Sequence, residues 1–340
     1  MMALPCFQRM PLAGSHNSVT VAAPSADHPS GCTHAPLRAP DARPAESRPV
    51  RPVPLPALTV AFCALLLVSG CAPADETASP PAAAASAGSA GDPAPPPAGA
   101  VIDYQLGGGY TPAPGVGGVV RDSTDVPAEG LYSVCYVNGF QTQPADREFW
   151  LSERADLVLQ RDGEPLIDEN WPDELILDGS TDGKRDRIAA ELAKTLERCA
   201  TAGFDAIEID NLDSYTRSDG LLDQDDAVAL ATLYAQRAHA AGLAIAQKNA
   251  AEFGTRGRDE AGFDFVITEE CHRYNECAEY TAVWGGRVLD IEYSDDLRGS
   301  FAEVCADPQV PGSTILRDRD LTTPADPDYR FSACGIPQAE

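Results

Sequence analysis

The hydrophobic pattern divides the chain at about residue 100, and beyond it short apolar runs alternate with longer segments of helical spacing. Eight of the runs have the length of buried strands: residues 102–106, 132–140, 175–178, 206–211, 244–249, 265–270, 288–293 and 314–318. The helical segments 184–202 and 224–241 end at Gly203 and Gly242, and glycine commonly ends a helix. Eight strands alternating with helices predict an α/β fold, a TIM (β/α)8 barrel.

An open, doubly wound sheet is the alternative arrangement of the same elements. Nucleotide-binding folds of that kind carry a Gly-x-Gly-x-x-Gly loop between a strand and a helix. The glycine-rich segment 106–110, Leu-Gly-Gly-Gly-Tyr, has neither this spacing nor a helical pattern after it. The barrel is therefore the better prediction.

Polar side chains gather where the predicted strands end. A single one means little, because a loop that follows a strand often begins with a helix cap. The pattern recurs along the chain, at Asp103, Gln105, Asn138, Asp178, Glu208, Asp210, Lys248, Asn249, Glu269, Glu270, Asp290, Glu292, Arg317 and Asp318. Because barrel enzymes build their active sites from the carboxyl ends of the strands, we expect a site at that face.

The segment 204–213, Phe-Asp-Ala-Ile-Glu-Ile-Asp-Asn-Leu-Asp, contains the strongest candidate residues. Alternation along the strand places Ile207 and Ile209 on one face and Glu208 and Asp210 on the other. Two acids on one face of a buried strand are costly unless they have partners or a function. The alternative is a structural role, in which Asp210 and Asp213 cap a helix or form salt bridges.

The chemistry available to these residues is mainly that of carboxylates. The chain has no Gly-x-Ser-x-Gly element, which disfavours serine hydrolysis, and no zinc-type cysteine spacing, so we expect no metal and no cofactor. Paired carboxylates suit glycoside hydrolysis, in which one acid protonates the leaving oxygen and the other attacks or activates water. Aromatic residues near the same strand ends are candidates for stacking on sugar rings: Tyr104, Tyr136, Trp171, Tyr215, Tyr274 and Tyr293.

Eight short motifs are spread between residues 103 and 293. They are Asp-Tyr-Gln-Leu-Gly-Gly at 103–108, Val-Cys-Tyr-Val-Asn at 134–138, Trp-Pro-Asp-Glu at 171–174, Gly-Phe-Asp-Ala-Ile-Glu-Ile-Asp-Asn-Leu-Asp at 203–213, Ala-His-Ala-Ala-Gly-Leu at 238–243, Gln-Lys-Asn at 247–249, Phe-Asp-Phe-Val-Ile-Thr-Glu-Glu-Cys at 263–271 with Cys277, and Ile-Glu-Tyr at 291–293. In combination they resemble the endo-α-1,4-polygalactosaminidase family, glycoside hydrolase family 114, of extracellular barrel enzymes. The resemblance covers residues 102–334, the whole predicted domain.

The resemblance implies an endo-glycosidase that cleaves α-1,4-linked polymers of galactosamine or N-acetylgalactosamine. The family's catalytic residues are the Asp of a Glu-x-Asp-Asn element and the Glu before the Cys of the sixth strand, which match Asp210 and Glu269. The remaining candidates would bind the polysaccharide: Asp103, Tyr104, Gln105, Tyr136, Asn138, Glu208, Asn211, Asp213, Tyr215, Lys248, Asn249, Glu270, Glu292, Tyr293 and Arg317.

The chain departs from the family pattern at two positions, with Ile209 where Pro is frequent and Glu270 where Gln is frequent. The second departure leaves the choice between Glu269 and Glu270 open, because neighbours on a regular strand point to opposite faces. Glu269 also shares its face with the apolar Phe265 and Ile267, which is awkward for an inward acid. A bulge at the end of the strand would resolve this.

Two alternatives to this assignment stay open. Many barrel glycosidases carry their acids on strands four and seven, which would pair Glu208 or Asp210 with Glu292 and leave the reaction class unchanged. The alternative from a different functional class is a non-catalytic carbohydrate-binding lipoprotein on the same barrel. The presence of acids at both catalytic positions argues against it.

The chain before the domain has the pattern of an export signal and a linker. An apolar run at 55–68 follows Arg48 and Arg51, and its about 14 residues suit a signal peptide rather than a membrane-spanning helix. Val-Ser-Gly-Cys at 68–71 resembles a lipobox, which predicts lipidation of Cys71 and attachment to the extracellular face of the membrane, or secretion. The long lead at 1–49 suggests a start codon assigned too early, with the true start near Val50 or Val53.

We therefore divide the chain into a lipoprotein signal peptide at 1–70, a disordered Ala/Pro/Gly-rich tether at 71–100 and the glycoside hydrolase domain at 101–340. Six cysteines remain in the domain, and an even number in an exported domain suggests disulfides. Cys271 and Cys277 are close enough in sequence to close one loop, and Cys305 and Cys334 bracket the C-terminal segment. Cys135 and Cys199 would then remain for each other, although the connectivity stays open.

The net charge of the chain limits the kinds of ligand that it can bind. The chain has a formal net charge of −27, almost all of it on residues 101–340. So acidic a domain will not bind nucleic acid through its phosphates, and it would attract a cationic ligand. Solubility alone is an equally good explanation of the charge. We expect a monomer that binds a polysaccharide and is attached to a membrane through Cys71.

Overall fold

The computed structural model describes residues 93–336. The predicted signal peptide, Cys71 and most of the predicted tether lie outside these residues. In the part of the chain that is described, no helix has both the length and the apolar character needed to cross a membrane.

Residues 93–336 contain thirteen strands: β1 (Ile102–Tyr104), β2 (Gly118–Asp122), β3 (Tyr132–Asn138), β4 (Gln160–Arg161), β5 (Glu164–Pro165), β6 (Ile167–Asp168), β7 (Trp171–Leu175), β8 (Ala206–Asp210), β9 (Ala244–Lys248), β10 (Phe265–Glu269), β11 (Val288–Tyr293), β12 (Ile315–Arg317) and β13 (Phe331–Ala333). The principal sheet has the order β1-β2-β3-β8-β9-β10-β11-β12-β13. Its first eight strands are parallel, and β13 is antiparallel to β12.

The sheet curls so that its two ends approach each other. Arg317 on β12 donates hydrogen bonds to the Asp103 carboxylate, at 3.1 Å, and to the carbonyl of Tyr104 on β1. Eight parallel strands in sequence order around a curled sheet make a TIM-like barrel, as the sequence predicts.

The predicted strand set contains one omission and one error. Strand β2 is absent from it, because Gly118–Asp122 is short and follows a loop rich in glycine and proline. The predicted strand at 175–178 is not in the barrel. Leu175 ends β7 of a small hairpin, and Ile176 and Leu177 form isolated antiparallel bridges with the segments that follow β3 and α1 (Arg147–Glu153).

The helices follow the sequence signals closely. Besides α1, they are α2 (Asp182–Ala202), α3 (Gln224–Ala240), α4 (Cys271–Tyr274), α5 (Cys277–Trp284) and α6 (Phe301–Ala306). The Thr181 side chain accepts a hydrogen bond from the backbone of Lys184 at the start of α2, and Asp223 forms a capping box with Asp226 at the start of α3. Helix α2 ends at Gly203, whose φ of 95° is one that glycine adopts without steric cost.

Two hydrophobic layers lie on either side of the barrel wall. The inner layer comes from one face of each strand and includes Ala206, Ala244, Phe265, Ile267 and Ile291. The outer layer joins the opposite strand faces to α2, α3 and α5 and includes Ile207, Ile209, Ile245, Val266 and Val288. Because this alternation assigns every strand residue to one layer, it shows which polar residues point into the barrel.

Three disulfides join the six domain cysteines in the pairs that spacing suggested. Cys135–Cys199 connects β3 to α2, Cys271–Cys277 connects α4 to α5, and Cys305–Cys334 connects α6 to the chain after β13. The disulfides are thus found in the outer layer and at the C-terminal segment.

Residues 93–100 pack against the domain, although the predicted tether includes them. The backbone N–H of Gly99 donates to the carbonyl of Gly286, at 3.1 Å, just before β11. The Tyr132 hydroxyl, at the first residue of β3, donates to the carbonyl of Ala94, at 2.8 Å. The ordered domain therefore begins before residue 101, and its first segment lies at the amino ends of the strands.

Candidate active site

Lys248 is the centre of a polar cluster at the carboxyl end of the barrel. It ends β9, and its side chain is only 3% exposed. Its Nζ lies 3.2 Å from Glu208 Oε1, 3.4 Å from Asp210 Oδ1 and 3.2 Å from Glu269 Oε2. Burial would lower the pKa of Lys248, but the carboxylates raise it well above its usual range. One buried ammonium group is therefore the ion-pair partner of three acids from two strands.

Asp210, at the end of β8, is held as a carboxylate. Tyr136 donates its hydroxyl to Oδ2 at 2.5 Å, and the backbone N–H of Asn211 donates to Oδ1 at 2.8 Å. Burial would raise the pKa of Asp210, but Lys248 and these donors lower it below its usual value. The prediction that Glu208 and Asp210 share the inward face of β8 is confirmed.

Glu208 lies deeper, with no exposed surface. It accepts a hydrogen bond from the hydroxyl of Tyr104 at 2.7 Å. Burial, with a contribution from Asp210, raises the pKa of Glu208 to about 7 against the opposing effect of Lys248. Its position below Asp210 and its loss of solvent contact suit it to support the site rather than to meet a substrate.

Glu269, at the end of β10, faces the same space and keeps 27% of its side chain exposed. Its Oε1 accepts a hydrogen bond from the Tyr293 hydroxyl, and its Oε2 accepts one from Asn249 Nδ2 at 3.3 Å. Asn249 also accepts from the backbone N–H of Glu269 at 2.8 Å, so it fixes both the strand end and the side chain.

The expected bulge in β10 is not needed. Phe265 and Ile267 face the inner layer of the barrel, which is apolar below and polar at its mouth, and Glu269 continues that same face. The backbone leaves the strand only at Glu270, which has a φ of 60°. Sharing a face with apolar residues is therefore what directs Glu269 into the site.

Glu270 lies beside the site and pairs with Arg319. The Arg319 Nη2 donates to Glu270 Oε1 at 2.9 Å, and its guanidinium lies 4.4 Å from the centre of the Tyr293 ring. Burial would lower the pKa of Arg319, but Glu270 and Asp295 raise it. Glu270 is thus paired with Arg319, which it shares with Asp295, rather than with Lys248.

Glu174 also lies at this site, beside Asn138 and Asn211, although sequence reasoning did not assign it there. It lies on β7, and its Oε2 accepts hydrogen bonds from Asn138 Nδ2 at 2.8 Å and Asn211 Nδ2 at 3.3 Å. Burial raises the pKa of Glu174 to about 7, and the nearby Asp210 contributes in the same direction. The motif at 171–174 contains Glu174, but its residues lie outside the predicted strands, so strand alternation could not find it.

Asp213 and Tyr215 lie in the 3-10 turn Leu212–Arg217 that follows β8. Asp213 pairs with Arg217 at 2.8 Å, and Arg217 donates to Asn211 Oδ1 at 3.2 Å. Asp213 therefore helps to position Asn211 through Arg217. The Tyr215 hydroxyl donates to Glu252 at 2.6 Å, so it is engaged with a residue outside the Lys248 cluster.

Asp103, Gln105 and Arg317 are placed in the barrel wall rather than on an open surface, although all three were expected to bind substrate. Each has no exposed surface. Arg317 donates to Asp103 and to three backbone carbonyls, and Gln105 donates to Asp103 at 2.8 Å. This network joins the two ends of the sheet and leaves Arg317 no donor directed at a ligand.

Glu292 lies outside the barrel, so the structure does not bring it together with Asp210. Leu289, Ile291 and Tyr293 are the residues of β11 that face inward. Asp290 and Glu292 point outward and accept hydrogen bonds from the backbone N–H groups of Cys271, at 3.2 Å, and His272, at 2.8 Å. Among residues 93–336, the group Cys271, Cys277 and Asp290 is close enough to bind a metal, but both cysteines are in a disulfide and offer no thiolate.

Two carboxylates on the strands that flank β9 at the barrel mouth, with Lys248 of β9 between them and tyrosines around them, form the kind of site that hydrolyses glycosidic bonds. The nearest oxygens of Asp210 and Glu269 each lie within 3.4 Å of Lys248 Nζ, which places them less than about 7 Å apart. Comparison with known families agrees with this class. The chain matches glycoside-hydrolase family GH114 over residues 82–338 and belongs to that family, so it is a glycoside hydrolase.

Solved structures with the same fold include the Aspergillus fumigatus protein Ega3, in a complex with galactosamine. That match has a TM-score of 0.55 and 21% identity and covers 70% of this chain and 96% of Ega3. The glycoside hydrolase domain of PelA from Pseudomonas aeruginosa is also similar, with a TM-score of 0.47, 12% identity and coverage of 66% of this chain and 96% of that domain. No curated protein matches the chain.

Proposed function

We propose that this protein is an extracytoplasmic endo-glycosidase that cleaves α-1,4-linked polymers of galactosamine or N-acetylgalactosamine. The observation that carries the proposal is the inward pair Asp210 and Glu269, which share Lys248 at the barrel mouth. Membership of GH114, the galactosamine bound to a protein of the same fold, and a strongly acidic chain all support a substrate of this class. Deacetylated galactosamine units are cationic, which suits the negative charge.

In the proposed mechanism, Asp210 is the nucleophile or stabilises the developing positive charge, and Glu269 is the acid/base. The lowered pKa of Asp210 suits a group that must stay ionised. Glu269 is the more exposed of the two, at 27% against 19% of the side chain, so a leaving oxygen can reach it. A retaining pair is separated by about 5–5.5 Å and an inverting pair by about 6.5–9.5 Å. The bound of about 7 Å is compatible with both outcomes, and we propose retention.

The test is incubation of the purified protein with α-1,4-linked galactosamine and N-acetylgalactosamine polymers. Mass spectrometry should find a series of short oligosaccharides, as an endo-acting enzyme produces. Binding of the polymer without any cleavage would instead support a carbohydrate-binding protein on the same barrel.

The proposed location rests on the sequence alone. We propose that Cys71 is lipidated and anchors the protein to the extracellular face of the membrane. Cys71→Ala should release the protein from the membrane fraction or leave it unprocessed. Unchanged fractionation and unchanged processing would contradict the anchor.

A further inference from the structure

Glu174 occupies a rigid position beside Asp210. The backbone N–H of Thr142, just after β3, donates to the carbonyl of Leu175 at 2.9 Å, which joins the end of β7 to the barrel. Glu174 itself is held by Asn138, the last residue of β3, and by Asn211, the residue after Asp210. Side chains from two barrel strand ends therefore fix this carboxyl at the mouth.

Only one oxygen of Glu174 is used by these contacts. Asn138 and Asn211 both donate to Oε2, and within residues 93–336 Oε1 accepts no hydrogen bond from the protein. Oε1 is not one of the buried side-chain atoms that lack a partner, so it is open to solvent. Trp171, on the same strand, is 42% exposed, which places β7 at the rim of the site.

Glu174 is also an acid without a cation of its own in the described part of the chain. Lys248 is bound to Glu208, Asp210 and Glu269, and the nearby Arg217 pairs with Asp168 at 2.5 Å and Asp213 at 2.8 Å. Burial, Asp210 and Asp168 raise its pKa to about 7, against the opposing effect of Asn138 and Arg217. A positively charged ligand group at Oε1 would supply the missing charge and favour ionisation.

We infer that Glu174 binds the C2 ammonium group of a galactosamine unit held beside Asp210 and so determines specificity for deacetylated polymer. This inference rests on the proposed function. An N-acetyl group at the same carbon carries no charge and gains nothing from the carboxylate. Glu174 therefore sets the ratio between the two substrates, whereas a residue that only supports the fold would affect both equally.

The experiment compares Glu174→Gln with the wild type on fully deacetylated and on N-acetylated α-1,4 polymers. The neighbouring exposed acid provides the matched control, Asp173→Asn. We expect Glu174→Gln to lower the ratio of kcat/KM for deacetylated over acetylated polymer at least about tenfold, mainly through KM, and Asp173→Asn to leave it unchanged. An unchanged ratio in Glu174→Gln, with or without a loss of overall activity, overturns the inference.

A binding measurement separates this inference from the proposed function. Calorimetry with galactosamine oligosaccharides compares the Asp210→Asn protein with the Asp210→Asn, Glu174→Gln protein, so no turnover is required. We expect affinity to fall at least about tenfold in the double variant. If the wild type cleaves neither polymer, the proposed function fails, yet this difference still decides the role of Glu174. Equal affinities would overturn it.

Discussion

The inside and the outside of the barrel both bury acidic side chains, but they stabilise them differently. Inside, Asp210 and Glu269 share the ammonium group of Lys248. Outside, Asp290 and Glu292 accept backbone hydrogen bonds at the start of α4, and within residues 93–336 neither has an ion pair. Burial raises the pKa of Glu292 to about 7 and that of Asp290 well above its usual value, while the pKa of Asp210 is lowered.

This difference separates a chemical role from a structural one. Lys248 and the hydrogen-bond donors lower the pKa of Asp210, so this carboxylate stays ionised and can act on a substrate, whereas Asp290 and Glu292, which lack a cation, tend to keep their protons and can still cap a helix. Of these acids, only those on the inner face next to Lys248 therefore suit catalysis. Four predictions test the distinction.

The largest effect is expected at the inner pair. Asp210→Asn and Glu269→Gln should each lower kcat about 10³-fold or more, because each removes a group that acts on the reacting bond. Thermal melts should shift by only a few degrees, since neither residue packs in the core and each variant leaves Lys248 two of its three acidic partners. The assay is polymer cleavage by purified protein.

Glu270→Gln, assayed beside them, decides between the neighbouring acids. If Glu270→Gln is inactive and Glu269→Gln is active, Glu270 is the catalytic acid. If Glu269→Gln and Glu270→Gln both retain full activity and Glu292→Gln is inactive, the catalytic pair lies on β8 and β11, the fourth and seventh barrel strands, and not on β8 and β10. Glu292 would then act despite its outward direction.

Lys248→Met should weaken both stability and catalysis. Three carboxyl groups lose their shared cation, and breaking a buried ion pair costs about 3–5 kcal/mol. Denaturant unfolding measures the loss. Lys194→Met is the matched control, because Lys194 is 65% exposed and pairs with Glu191 at the surface, where such pairs contribute about 0–1 kcal/mol. A similar effect of both substitutions would contradict the role of Lys248.

Glu292→Gln should change the pH dependence of stability more than the activity. A carboxyl whose folded pKa is about 7 and whose unfolded pKa is near 4.5 stabilises the fold at low pH, and this contribution is lost as pH rises between those values. The wild type should therefore lose up to about 3 kcal/mol from this group between pH 5 and pH 8. Glu292→Gln should lose less over the same range. Parallel stability curves for the two proteins would show that Glu292 is ionised throughout.

The smallest effect is expected at the disulfide that borders the outer pair. Cys271→Ser combined with Cys277→Ser opens a short loop, which should cost about 2 kcal/mol of unfolding free energy. Because Cys271 N–H donates to Asp290, the pH dependence described for Glu292 should also change. Thiol titration of the denatured, unreduced wild-type domain should find no free cysteine among residues 93–336.

The sequence predicted the inner acids because strand alternation is a local property. Glu208 and Asp210 could be assigned to one face from neighbours alone, and the family motif pointed to Glu269. The sequence suggested that Glu269 could not point inward from a regular strand, because it shares a face with apolar residues. Alternation tells which residues share a face, but not that an apolar inner layer ends in a polar mouth. That depends on the closure of the whole sheet.

Other features depend on contacts between residues far apart in sequence. Arg317 looks like a ligand-binding residue at a strand end until the chain closes and Asp103 becomes its partner. Glu174 belongs to a hairpin outside the barrel and enters the site only through Asn138 and Asn211. No local pattern reports such packing, so the sequence could name the two acids and neighbours such as Lys248 and Tyr293, but not Glu174 or the structural role of Arg317.

The packing of residues 93–100 shows on which side of the barrel the chain enters the domain. These residues contact Gly286 and Tyr132 at the amino ends of β11 and β3, whereas Asp210 and Glu269 lie at the carboxyl ends of their strands. The chain therefore enters the domain on the side opposite the mouth that carries Asp210 and Glu269. If Cys71 is lipidated, as proposed, the connection to the membrane would therefore join the barrel at the amino ends of its strands and leave the mouth free for a polymer.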